Sequence, residues 1–160
     1  MFLYPDSSIS IIVEVLERVA EDDDEEAVKF CNLSISLTGM TDNDFPRFHF
    51  SSLAKDNSAE ASSVESVTKL PKDKGDDTPS PIVLQGTQLV RKFNSPVPDR
   101  IRILLAAFRI KSKNVDLVLS MNIPLETVEG KVDDAKHKQA QLDFDTAVKS
   151  LRILDLGLFL

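Results

Sequence analysis

The chain has 160 residues, 42% of them hydrophobic, enough for a single domain with one real core. Its 19 basic and 26 acidic residues leave a net charge of -7, which disfavours a nucleic-acid or anionic-membrane surface and favours a basic protein partner. A lone cysteine, Cys31, excludes an internal disulfide and cannot by itself build a thiolate zinc site, "MFLYPDSSIS" has no basic secretory n-region, and no apolar run approaches the roughly 20 residues that span a bilayer.

The first patterned stretch is "SSISIIVEVLE", residues 7–17. Ser7 or Ser8 is placed to cap a helix, and Ile11, Ile12, Val15, Leu16 and Val19 follow at spacings that form one apolar stripe. At about 100° per residue, Glu14, Glu17 and Glu21 fall on the opposite side. The spacing therefore predicts an amphipathic helix with an acidic outer face. Next, "EDDDEE" is too charged for burial, and Asp24 is placed to cap a second short helix through "EEAVKF". Residues 31–47, "CNLSISLTGMTDNDFPR", carry Gly, Asn, Asp and Pro turn formers around one alternating run and predict a loop with a short strand.

"FHFSSLA" resumes an apolar pattern, whereas residues 55–63 are small and polar and read as a flexible loop. "VESVTKL" predicts an edge strand, residues 71–81 a second flexible loop, and "IVLQGTQLVRKF" a strand of a hairpin or meander. In "RIRILLAAFRI" both alternating faces are largely apolar, which marks a central strand covered on both sides. After the link "KSKN", residues Val115, Leu117, Leu119, Met121 and Ile123 share one face of a partner strand, with Asp116, Val118, Ser120 and Asn122 on the other. Pro124 is expected to end that strand. Gln141, Phe144, Val148 and Leu151 then recur at helical spacing, and the final "ILDLGLFL" is read as a turn at Gly157 with Leu158 and Phe159 as a buried clasp. These patterns are satisfied by an α+β domain, an antiparallel sheet flanked by helices.

Catalytic chemistry is poorly supplied. His49 and His137 are the only histidines, neither has metal-ligand spacing to a partner, and both read as ordinary strand and surface residues. The five glycines are isolated, so no phosphate cradle is visible and no cofactor is expected. "RKF" and "RIR" read as solvated strand edges. What remains is the acidic helix face at Glu14 and Glu17, with Asp6 just upstream. Periodicity alone leaves it either a solvated helix side or a docking surface, in which two carboxylates one helical turn apart receive two Lys or Arg side chains together.

In order along the chain, "DSSISIIVEVLERV", "EEAVKF" with "FHFSSLA", "VLQGTQLVRKF", "ILLAAFRIKSKNVDLVLSMNIPL" and "ILDLGLF" resemble the Ran guanine nucleotide release factors, the Mog family of Ran-binding proteins. The resemblance implies a PsbP-like α/β sandwich of one domain over residues 1–160. It implies a non-enzymatic, monomeric protein that binds the small GTPase Ran, promotes guanine nucleotide release and supports nuclear protein import from the nucleus and cytoplasm. Glu14 and Glu17, and with them Asp6, correspond to acidic positions of the family's Ran-binding surface. Against the family pattern the chain is expected to lack the usual N-terminal strands and to carry residues 31–47 as an insertion. Two readings of other classes stay open: a non-enzymatic PsbP-like structural or assembly subunit, and a small acidic enzyme with a pocket the residues do not reveal.

Overall fold

The computed structural model describes residues 1–3, 7–17, 44–71, 75–92, 95–127, 130–131 and 133–159. Asp6, Cys31, and the expected helix through "EEAVKF" lie outside the described residues, as does most of the expected insertion. The strands are β1 (Phe2–Leu3), β2 (Ser10–Glu17), β3 (Ala59–Lys69), β4 (Ile82–Val90), β5 (Asp99–Ile110), β6 (Val115–Thr127) and β7 (Gly130–Lys131). The helices are α1 (Phe45–Asp56) and α2 (Asp134–Ser150). All strand pairs are antiparallel, in the order β1-β2-β6-β5-β4-β3, with β7 folding back on the end of β6.

The β5–β6 hairpin is the centre of the sheet, as the doubly apolar pattern predicts. Its link contains a 3-10 turn at Lys111–Lys113, closed by Asn114 in the left-handed region at φ 55°, a conformation asparagine tolerates better than most residues. Alternation sends Leu104, Phe108, Leu117 and Met121 to one face, where Ala140, Phe144 and Val148 of α2 pack on them. Ile103, Leu105, Ala107 and Val118 go to the other face, beneath Phe45 and Phe50 of α1. The helix layers on the two faces are thus explained by a period of two in the strands and of three to four in the helices.

Several local expectations change. The stretch read as the first helix is β2, paired with β6 from Ser10↔Asn122 to Glu17↔Val115. Ile11, Ile12, Val13 and Val15 are β-branched residues that suit a pleated strand, and apolar residues on both faces imitate a helical stripe. Conversely "FHFSSLA", expected to begin a strand, lies in α1, and residues 45–47 of the predicted loop form its first turn. Pro46 stands where a missing N–H costs nothing. Residues 55–63, read as a flexible loop, complete α1, turn at Asn57 and Ser58, and begin β3. β3 is the edge strand expected at "VESVTKL". Its register slips between Val64 and Ser66, a bulge that lets Val64 and Val67, three residues apart, pack on the same α1-side core.

Pro124 does not end β6. The strand continues to Thr127, with an irregularity against β5 at Arg100 and Ile101 that accommodates a residue lacking an N–H. The Pro124 carbonyl accepts a hydrogen bond from His137 Nε2 at 2.8 Å, tying α2 to the strand end. At the C-terminal end Ile153, Leu156 and Phe159 pack on the α2-side core, whereas Leu158, expected in the clasp, is 79% exposed. The segment is held by the Ile153 N–H donating to the buried Thr78 Oγ1 (2.9 Å) and by Arg152 paired with Asp76.

One contact fixes how closely α1 sits on the sheet. A Cβ at Gly86 of β4 would lie 2.7 Å from Phe50 Cζ and 2.7 Å from the Ser63 carbonyl oxygen. Gly86→Ala is therefore expected to destabilise the fold by about 1–3 kcal/mol through overpacking; a urea unfolding curve with its midpoint lowered and slope unchanged is the measurement that checks it.

Candidate functional site

Asp116 of β6 is 2% exposed and points to the α1 side of the sheet. Arg109, directly opposite on β5, donates from Nε to Oδ1 and from its Nη2 to Oδ2, both at 3.0 Å. His49 of α1, 6% exposed, approaches Oδ2 to 2.9 Å through Nε2. An ionised carboxylate only accepts, so Nε2 carries the hydrogen of that bond. The guanidinium also lies over the Phe45 ring, 4.1 Å from its centroid, and Phe45 and Phe48 meet the His49 ring edge-on. Burial alone would raise the Asp116 pKa, but the hydrogen bonds from His49 and Arg109 and the Arg109 charge hold it below the ordinary value. This network anchors α1 to the central hairpin.

Beside that anchor, β2, β6 and α1 enclose a groove of about 360 Å³. Its buried floor includes His49, Leu105, Val118 and Ser120; Leu16, Phe48 and Leu53 supply apolar walls; Glu14, Glu17 and Asp56 are the exposed carboxylates around it. The strand geometry revises the expected pair. Glu14 opposes Val118 and so belongs to the α1 face, whereas Glu17 opposes Val115 and starts from the α2 face. Three residues along a strand are roughly 10 Å apart on opposite faces, so the two carboxylates do not form the single-face pair that a helix would present. Both nevertheless border the groove, Glu17 from the strand's last position.

Local pattern does not mark Asp56 or Ser120 as site residues, and it makes His49 an ordinary strand histidine, yet all three line the groove. Once "FPRFHFSSLAKD" is read as a helix, His49, Ser52, Leu53 and Asp56 fall at spacings of three and four on one face. The pairing of His49 with Asp116 spans 67 positions, beyond the reach of local periodicity. Among the described residues no group of three His, Cys, Asp or Glu is placed to hold a metal ion.

Residues 1–124 match the protein family described as "Ran-interacting Mog1 protein". The chain belongs to the Ran-interacting Mog1 family. It is 26% identical over 168 aligned positions to the Ran guanine nucleotide release factor of Danio rerio, spanning 99% of this chain and 82% of that relative. Its fold matches the crystal structure of the Saccharomyces cerevisiae Ran-binding protein Mog1p, with TM-score 0.59, 21% identity and coverage of 95% of this chain and 71% of the other. A point mutant of protein Mog1 matches with TM-score 0.56, 18% identity and the same coverages. For this family member the α+β sandwich of an antiparallel sheet between helices is therefore the family fold.

Two outcomes follow from the anchor. Asp116→Ala leaves the part-buried Arg109 without its counter-charge and His49 without its acceptor, and is expected to destabilise the chain by about 2–4 kcal/mol, read by chemical unfolding near neutral pH. Because the folded-state pKa of Asp116 lies below its ordinary 3.8, its stabilisation is present above 3.8 and is lost as pH falls through the depressed value. Unfolding free energy measured from pH 5 to pH 2 is expected to fall less steeply in Asp116→Asn than in the parent chain.

Proposed function

We propose that this chain binds the GTPase Ran and promotes release of its guanine nucleotide, supporting nuclear protein import, and that the groove bordered by Glu14, Glu17 and Asp56 is the docking surface. Membership of the Ran-interacting Mog1 family supports the partner. The observation that carries the site is the groove itself: three exposed carboxylates around apolar walls, where β2, β5, β6 and α1 meet. Carboxylates at such a rim attract basic side chains and raise the association rate, while the apolar walls hold the bound side chain. Asp6 is proposed as a further contact.

The protein works as a monomer in the nucleus and cytoplasm, by contact and without a covalent step. A protein that binds the nucleotide-free GTPase more tightly than the loaded form weakens nucleotide binding by the same free energy. Release then follows from differential affinity, and the groove has only to favour one state of the partner.

The test is release of a fluorescent guanine nucleotide from Ran, with the parent chain and with Glu14→Lys and Glu17→Lys together. The double variant is expected to need at least roughly tenfold more protein for the same release rate. Its rate should also lose most of its dependence on ionic strength, because the steering charges are reversed. Equal release by parent and variant at every salt concentration would remove the groove from the docking surface.

A further inference from the structure

A second concavity lies at the other end of α1. Asp56, the last residue of the helix, borders the acidic groove, whereas Phe45, its first, lines a separate pocket of about 300 Å³. The antiparallel register explains what meets there. Lys69 at the end of β3 is opposite Ile82 at the start of β4, Ile82 is opposite Ala107 of β5, and Arg109 and Lys111 follow Ala107 at steps of two. Ile82 and Phe45 form a buried apolar floor. The polar lining is exposed Lys69 and Lys111 with half-buried Arg109 and Ser80. Every charged residue that lines this pocket is basic, in a chain whose net charge is -7.

We propose that this pocket binds a phosphate dianion, free or as the ester of a small molecule. A cleft lined by one sign of charge raises the local concentration of the opposite ion. Screening over about 8 Å at physiological salt makes that lining count for more than acidic residues elsewhere on the chain. Lys69 and Lys111 donate from flexible stems, and Ser80 Oγ donates a hydroxyl hydrogen. Arg109 is the rigid member: Asp116 holds its Nε and Nη2, and the guanidinium rests over the Phe45 ring. Its Nη1, on the side away from Asp116, has no hydrogen-bond partner among the described residues. Donors from separate segments of chain suit the several oxygens of a tetrahedral phosphate. The two coplanar oxygens of a carboxylate suit instead a guanidinium fork, and Asp116 already occupies that of Arg109. None of the groove carboxylates takes part, so the site stands apart from the proposed docking surface.

The full chain, in chloride buffer of fixed ionic strength, is titrated with inorganic phosphate, phenyl phosphate and acetate while amide shifts are followed. Phosphate is expected to perturb residues around Lys69, Ser80 and Lys111 saturably, and to bind at least roughly tenfold more tightly than acetate. Tighter binding of phenyl phosphate than of inorganic phosphate assigns the site to an ester, and the reverse order assigns it to the free ion. Lys69→Gln with Lys111→Gln is expected to weaken phosphate binding at least roughly tenfold. Its thermal midpoint in chloride should equal the parent's, because both side chains are exposed. Each single variant is expected to weaken binding by a smaller factor, so the result does not depend on how the pair affects the fold. Phosphate should also raise the thermal midpoint of the parent and not that of the double variant. Shifts that never saturate, acetate binding as tight as phosphate, or parent-like phosphate binding in the variants overturns the inference.

Discussion

A carboxylate buried between the central hairpin and a helix has to be matched from both sides, and Asp116 is matched by Arg109 from the sheet and His49 from α1. That requirement fixes where the helix lies along β6. With Phe50 seated against Gly86 on β4 as a second fixed point, α1 is left with little freedom to slide or rotate on the apolar surface of Ile103, Leu105 and Val118. Hydrophobic burial is indifferent to direction; the buried ion pair and the close glycine contact are not. The groove beside β2 is the space left when the helix is held in that position. Its walls belong to the same packed layer that stabilises the fold.

The two faces of the sheet divide the labour. On one, α2 buries Ala140, Phe144 and Val148 against a continuous apolar surface, a layer with little chemistry and much burial. On the other, the shorter α1 brings His49, Ser52 and Asp56 to the groove. β2 contributes to both. Val13 and Val15 on its α2 side are 47% and 53% exposed, and Glu14 and Glu17 are charges along the same strand.

Much of this architecture was legible in the residues, because the central strands carry unambiguous alternation. "RIRILLAAFRI" is apolar on both faces, as a covered central strand requires, and "VDLVLSMNI" is apolar at a period of two, which separates its faces. β2 imitates a helix because "SIIVEVLE" satisfies two periods at once, and its β-branched content is the cue for a strand. β3 was partly hidden because small polar residues on an edge strand resemble a linker and because the bulge at Glu65 breaks the alternation between Val64 and Val67. Glu14 and Glu17 were found by their charge and their order in the chain, but their geometry was not. Asp56, Ser120 and the Asp116 network depend on strand pairing and helix docking between distant segments, which local pattern does not encode.

The groove also has a history in each folding event. Its parts come from residues 10–17, 45–56, 99–110 and 115–127, and β2 meets β6 across more than a hundred positions of chain, as in Ser10↔Asn122. Contacts of such separation require the loop-closure entropy to be lost before any pairing compensates, and they form slowly. The hairpin of β5 and β6, joined by four residues, has no such delay. During synthesis β2 therefore waits for β6, which is made long after it. The groove is complete only with that last long-range pairing, so an incompletely folded chain presents its carboxylates without the surface they border.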